Sequence, residues 1–147
     1  MSPVLVLHGP NLDLLGQREP EIYGHQTLAQ LDDSLRAEGE PLGLDVRCAQ
    51  SNSEGALIDH LHEAGRTCAG VVINPGGYTH TSVAIGDALR GIAIPAVEVH
   101  LSNLYGREPL RHTSLTGAAC VGVIMGLGAS SYHLALRYLA ARIRPES

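Results

Sequence analysis

Two stretches of the sequence hold side chains that can move protons. Glu98 and His100 stand two residues apart in the run Ala96-Val97-Glu98-Val99-His100. In an extended strand that spacing puts both side chains on one face, where the carboxylate can orient the imidazole and favour its charged form. The second stretch sets Arg18 five residues before Tyr23. An arginine stays protonated at any working pH, and a fixed positive charge nearby favours tyrosinate over tyrosine. With an ordinary pKa near 10, about one tyrosine in a thousand is ionised at pH 7, so each unit of depression supplies about 1.4 kcal/mol toward a competent base. The ten basic residues are all arginine. Without a lysine, a Schiff base between a lysine amine and a carbonyl substrate is excluded.

The elements that must position these groups are legible as alternating patterns. Val4 to Leu7, Leu44 to Cys48, Gly70 to Ile73, Ala96 to Val99 and Val121 to Met125 are short β-branched or leucine-rich runs that read as strands. Between them Leu28 to Glu38, Ala56 to Ala64, Ser82 to Arg90 and Tyr132 to Ile143 carry helical spacing, with Thr27 and Ser53 placed to cap the first two helices. Parallel strands need crossovers, so this alternation predicts an α/β fold: a doubly wound, flavodoxin-like five-stranded parallel sheet with helices on both faces. Ligands in such sheets sit beyond the carboxyl ends of the strands. Three predicted strands end in polar groups, at His8-Gly9-Pro10-Asn11, at Asn74 to His80 and at His100-Leu101-Ser102, which marks one edge of the sheet as a ligand site. The longest stretches without pattern, Gly16 to Gln26 and Ser102 to Gly117, read as binding or lid loops.

Composition narrows the classes. A chain of 147 residues with 44% apolar content fits a single domain, and with neither Phe nor Trp its core must be built from Val, Leu, Ile and Ala. A net charge of −5 without charge runs argues against nucleic acid or an anionic membrane as the main partner, leaving small molecules. Cys48, Cys68 and Cys120, odd in number and widely spaced in apolar runs, read as buried thiols suited to a reducing cytoplasm, not as a disulfide framework or zinc site. No basic leader or membrane span is recognisable. Gly126-Leu127-Gly128 lacks the third glycine of a dinucleotide fingerprint and reads as a tight strand-to-helix turn. His60 and His62, two apart on a helix, point to different faces and read as surface residues.

Taken in order, Gly9-Pro10-Asn11-Leu12, Arg18-Glu19-Pro20 with Ile22-Tyr23-Gly24, Gln50-Ser51-Asn52, Asn74-Pro75-Gly76 with Tyr78 to Ala84, and Glu98 to Asn103 resemble the type II 3-dehydroquinate dehydratase family, from about Val4 to about Leu139. The resemblance implies a lyase with no cofactor or metal, and a trimer assembling into a dodecamer. By the same resemblance Tyr23, ionised beside Arg18, takes a proton from the carbon next to the substrate ketone, and Asn11 holds a water on the resulting enolate. His100, oriented by Glu98, protonates the departing hydroxyl. The substrate contacts implied are Asn74, Gly77, His80, Leu101, Ser102 and Arg111, with Asp87 reaching in from a neighbouring subunit and the loop from Gly16 to Gln26 closing as a lid. The same reaction serves aromatic biosynthesis by the shikimate pathway and, in reverse, quinate use.

The sequence departs from that family's usual pattern at His8, Asp13, Gly86, Leu104-Tyr105-Gly106 and Thr113. The last two put in question how Arg111 is held. Two further readings are a flavodoxin-like flavin or nucleotide carrier, disfavoured by the lack of a phosphate loop and of a stacking Trp, and an inactive homologue, disfavoured because Asn11, Arg18, Tyr23, Glu98 and His100 are all present.

Overall fold

The computed structural model describes residues 1–17 and 19–143, with the backbone alone at Ile22 and Tyr23. Five strands, β1 (Ser2–His8), β2 (Leu44–Gln50), β3 (Gly70–Asn74), β4 (Ala96–His100) and β5 (Gly122–Met125), form one sheet in the order β2-β1-β3-β4-β5. Every pairing is parallel. The helices are α1 (Pro20–Tyr23), α2 (Leu28–Gly39), α3 (Glu54–Thr67), α4 (Val83–Gly91) and α5 (Ser130–Ile143). The flavodoxin-like arrangement expected from the alternation is present. The predicted caps also form: Thr27 accepts from the Gln30 N–H within a full capping box, and Ser53 accepts from the Ala56 N–H.

Strand parity divides the core in two. Val4, Val6, Val72, Val97 and Val99 point to the face covered by α2 and α5, packing on Leu31, Leu35, Leu136 and Leu139. Leu5, Leu7, Val71, Ile73 and Ala96 point to the other face, under Leu57 and Leu61 of α3 and Ile85 and Leu89 of α4. The same parity carries on past the apolar stretch: His8 and Asn74 fall on the α5 side, while Glu98 and His100 fall on the α4 side. Aliphatic side chains supply both layers, with Tyr132 the one fully buried aromatic among the described residues.

The loops hold more order than their composition suggests. Where the sequence reads as an unpatterned loop from Gly16 to Gln26, the chain makes a single helical turn, α1, opened by Pro20, whose fixed φ and missing N–H suit the first helical position. Between Ser102 and Gly117 there are short 3-10 turns at Leu104–Gly106 and Pro109–Arg111, with a third at Gly117–Ala119. The cysteines are free and half-buried, less enclosed than expected; burial pushes the Cys48 and Cys120 thiols up to about 12. His62 is exposed, whereas His60 is half-buried. Gly126 and Gly128, both at positive φ, make the tight turn from β5 into α5. No helix among the described residues is long and apolar enough to cross a membrane.

In the strand order the chain steps from β1 outward to β2 and then returns past β1 to β3, so the direction reverses between β1 and β3. Their ends are drawn together there. The Gly9 N–H donates to the Asn74 carbonyl at 2.7 Å, and a Cβ on Gly9 would lie 2.5 Å from the Pro75 carbonyl oxygen. Only glycine fits this approach. Gly9→Ala is expected to cost about 1–3 kcal/mol of stability by forcing two backbones apart. Urea denaturation with an unchanged midpoint would contradict the close approach.

Candidate active site

A pocket with about 140 Å³ of room opens at the crevice where strand order reverses, outside the carboxyl ends of β1, β3 and β4. The segment after β1 contributes Asn11 and Leu15, the segment after β3 contributes Asn74, Gly77 and His80, and the segment after β4 contributes His100, Leu101, Ser102 and Arg111. All of these but Leu15 are sequence-predicted site residues, and they are thus brought together. Leu14 and Arg107 line it as well and were not singled out in the sequence, and so does Leu104, noted there only as a departure from the family pattern. Arg107 had a signal in its spacing, one helical turn before Arg111.

Asn11 sits in the left-handed region at φ 70°, which asparagine tolerates better than most residues. Its N–H donates to Asn52 Oδ1 at 3.0 Å, and Gln50 Nε2 donates to the same oxygen at 3.1 Å and to the Gly9 carbonyl at 3.2 Å. The Gln50-Ser51-Asn52 block therefore acts as a brace beneath the first strand end. On the neighbouring segment, His80 Nδ1 donates to the Thr113 carbonyl at 2.8 Å, which fixes the orientation of the ring. Thr113, one of the departures noted above, is used through its backbone and not its side chain.

His100 is 5% exposed and Glu98 is 0% exposed. Their predicted pairing is present, with Nε2 and Oε2 2.9 Å apart. A carboxylate only accepts, so the pairing requires the proton on Nε2. Ser114 donates its hydroxyl to the same Oε2 at 2.8 Å, and Thr116 donates its hydroxyl to the other oxygen, Oε1. Ser114 and Thr116 had no signal in the sequence, since they lie in an unpatterned loop and act only once it has folded back over β4. The return of this loop carries the arginines across the pocket. Arg111 Nε donates to Glu108 at 2.5 Å and Arg107 stands 3.9 Å from the same carboxylate, which is held below the usual carboxylate range mainly by the Arg111 bond. The departures at Leu104 and Tyr105 support this turn: Leu104 is buried against the pocket, and the Tyr105 ring packs on His112.

Of the remaining predicted residues, Asp87 lies on the exposed side of α4, 3.6 Å from Arg90, and is not part of this chain's pocket. Tyr23 is the last residue of α1; its side chain, and Arg18 altogether, fall outside the described residues.

Residues 2–140 match the family model described as dehydroquinase class II. The chain belongs to the class II dehydroquinase family. Over 141 residues it is 55% identical to a 3-dehydroquinate dehydratase of Synechococcus sp. (strain CC9605), covering 96% of this chain and 97% of the relative. It is 53% identical over 144 residues to 3-dehydroquinate dehydratase 2 of Ralstonia nicotianae, covering 95% and 94%. The crystal structure of a type II dehydroquinase from Propionibacterium acnes superposes with a TM-score of 0.93 at 45% identity, covering 96% of this chain and 97% of that one. A class II dehydroquinase fold thus presents, at its switch point, a pocket with a buried Glu98–His100 pair on one side and two arginines on another.

Because Glu98 is wholly enclosed, each donor around it offsets a large desolvation cost. Thr116→Val keeps the shape but deletes one donor, and is expected to lower stability by about 1.5–3 kcal/mol. A melting temperature equal to the parent's would show that Thr116 does not satisfy Glu98.

Proposed function

We propose that this class II dehydroquinase removes water from 3-dehydroquinate by two separate proton transfers, with Tyr23 as the base and His100 as the acid. The observation that carries the reading is the His100 imidazole on the pocket wall, its Nε2 committed to a buried carboxylate. Such an imidazole is held in one orientation, and in its charged form it has a single remaining proton, on Nδ1, to give. Tyr23 takes the proton from the carbon next to the ketone, leaving an enolate, and a water held by Asn11 donates to the enolate oxygen. Collapse of the enolate then expels the hydroxyl from the next carbon as His100 supplies its proton. One water leaves, the base has gained a proton and the acid has lost one, and the product 3-dehydroshikimate is a conjugated ketone. No lysine is needed, because the enolate is stabilised without an imine.

Arg111, with Arg107 beside it, suits the substrate carboxylate through paired hydrogen bonds. Asn74, Gly77, His80, Leu101 and Ser102 fill out the contact surface. The segment from Gly16 to Gln26, with α1 inside it, closes over the bound acid and delivers Arg18 and Tyr23. Asp87 completes the pocket of a neighbouring copy in a trimer that assembles further into a dodecamer. Support for self-association comes from exposed apolar groups at the sheet's β5 edge, where Val121 is 47% and Val123 37% exposed, and from Val83 on α4, 62% exposed.

Mixing the purified protein with 3-dehydroquinate should produce a rising ultraviolet absorbance from the conjugated product, and Tyr23→Phe should reduce kcat at least about a hundredfold, the low end of what a positioned base contributes. Silence from the parent protein would end the dehydratase reading; full turnover by Tyr23→Phe would leave the reaction and remove its base. If Arg18 depresses the Tyr23 pKa, Arg18→Gln raises it, so the rise of kcat/KM with pH should move to higher pH. An unmoved profile would exclude that tuning. Light scattering on a sizing column tests the assembly, where a monomeric mass in an active preparation would rule out a contribution from Asp87 of a neighbour.

A further inference from the structure

On the α5 side of the sheet lies a polar network that the proton transfers do not use. His8, 0% exposed at the end of β1, places Nε2 2.7 Å from Asp32 Oδ1 of α2 and Nδ1 3.1 Å from the Tyr132 hydroxyl of α5. Asn74 Nδ2 donates to the same hydroxyl oxygen at 3.0 Å, and Asn74 Oδ1 accepts the Gly76 N–H at 3.1 Å. Tyr132 is itself 0% exposed. Asn74 belongs to the pocket, so the network runs from a carboxylate on a helix to a side chain against the substrate.

The direction of each bond follows from the chemistry of the groups. The Asp32 carboxylate accepts only, so His8 must carry its proton on Nε2. The Gly76 N–H holds Asn74 Oδ1, so Asn74 Nδ2 donates to the Tyr132 oxygen and the Tyr132 O–H is left to point at His8 Nδ1, which takes it on a lone pair. Burial pushes the Tyr132 hydroxyl above the usual phenol range, which keeps that proton on the oxygen. With its O–H committed to His8, the Tyr132 oxygen can only accept from Asn74, so the amide nitrogen must face it. The opposite amide orientation would put two donors face to face at the Gly76 N–H and leave the Tyr132 oxygen without its second partner. Asn74 is left with one N–H and one Oδ1 lone pair for the pocket.

We propose that Asp32, His8 and Tyr132 form a one-way hydrogen-bond relay whose role is to fix the amide of Asn74, so that it offers an N–H to an accepting oxygen of the substrate. These three are positioning residues; Asn74 alone touches the ligand. The inference rests on the pocket taking 3-dehydroquinate, whose ring hydroxyls both accept and donate and so match the free N–H and lone pair of Asn74. A relay of this kind acts on binding in ground and transition states alike, and so on KM more than on kcat.

Nitrogen-15 correlation spectra of the His8 ring test the direction without any turnover. A protonated Nε2 and an unprotonated Nδ1 are expected at neutral pH, and the reverse tautomer would overturn the relay. In the dehydratase assay Tyr132→Phe should raise KM about tenfold, one neutral hydrogen bond's worth, with kcat within about threefold of the parent. Asp32→Asn, which can either accept from His8 or donate to it, should raise KM by a smaller factor and broaden the His8 signals. A loss of melting temperature with unchanged KM in both variants would make the network merely structural and refute the proposal. Inactivity of the parent protein would count against the substrate reading instead, since the tautomer would still report on the relay.

Discussion

A carboxylate enclosed in protein is tolerated only when donors surround it, and Glu98 is such a group. Its position in the middle of a fully buried strand leaves the surrounding chain little choice. Ser114, Thr116 and His100 must all reach it, and two of these three lie beyond a long excursion over the top of the sheet. Tying residues 114–116 to Glu98 closes that excursion into a loop of fixed length. Arg107 and Arg111 are then held over the pocket by the loop's own turns. Two further ties reinforce the closure: the Leu115 N–H donates to the Thr79 carbonyl, and His80 donates to the Thr113 carbonyl. One buried carboxylate therefore organises both the His100 imidazole and the arginine-bearing wall of the pocket. Losing one of these donors costs about 1.5–3 kcal/mol, so the burial of Glu98 and the return of the loop go together.

The parts of the site that follow a local period were legible in the sequence. Glu98 and His100 share a face because strands alternate, and the apolar run around them forces a buried strand. The crevice at the strand ends follows from the alternation of strands and helices, which dictates parallel crossovers. Caps at Thr27 and Ser53 are one-residue signals with a local mechanism. What was not legible depends on contacts between distant segments. His8 looked like a polar strand end, yet its two partners lie on α2 and α5, on the far side of crossovers that no pattern specifies in advance. Ser114 and Thr116 carry no periodicity, and their meaning appears only when the loop folds back. The turn α1 was hidden because four residues are too few for a helical period, although Pro20 at its first position is a start signal.

The two faces of the sheet end in two networks that do different work with the same kind of group. On the α4 side, Glu98 bonds directly to His100, an imidazole on the pocket wall, so a carboxylate and a pocket group are in contact with nothing between them. On the α5 side, Asp32 meets His8, His8 meets Tyr132 and Tyr132 meets Asn74, so what reaches the pocket along this path is the direction of the bonds and not direct contact with a charge. In the proposed mechanism the site moves a proton at one wall and holds a polar ring still at the opposite wall, and that division suits both tasks. A second imidazole in contact with a pocket carboxylate would compete for the proton that the mechanism assigns to His100. Placing His8 one strand end away, with Tyr132 between it and Asn74, gives orientation without offering the proposed reaction a second acid.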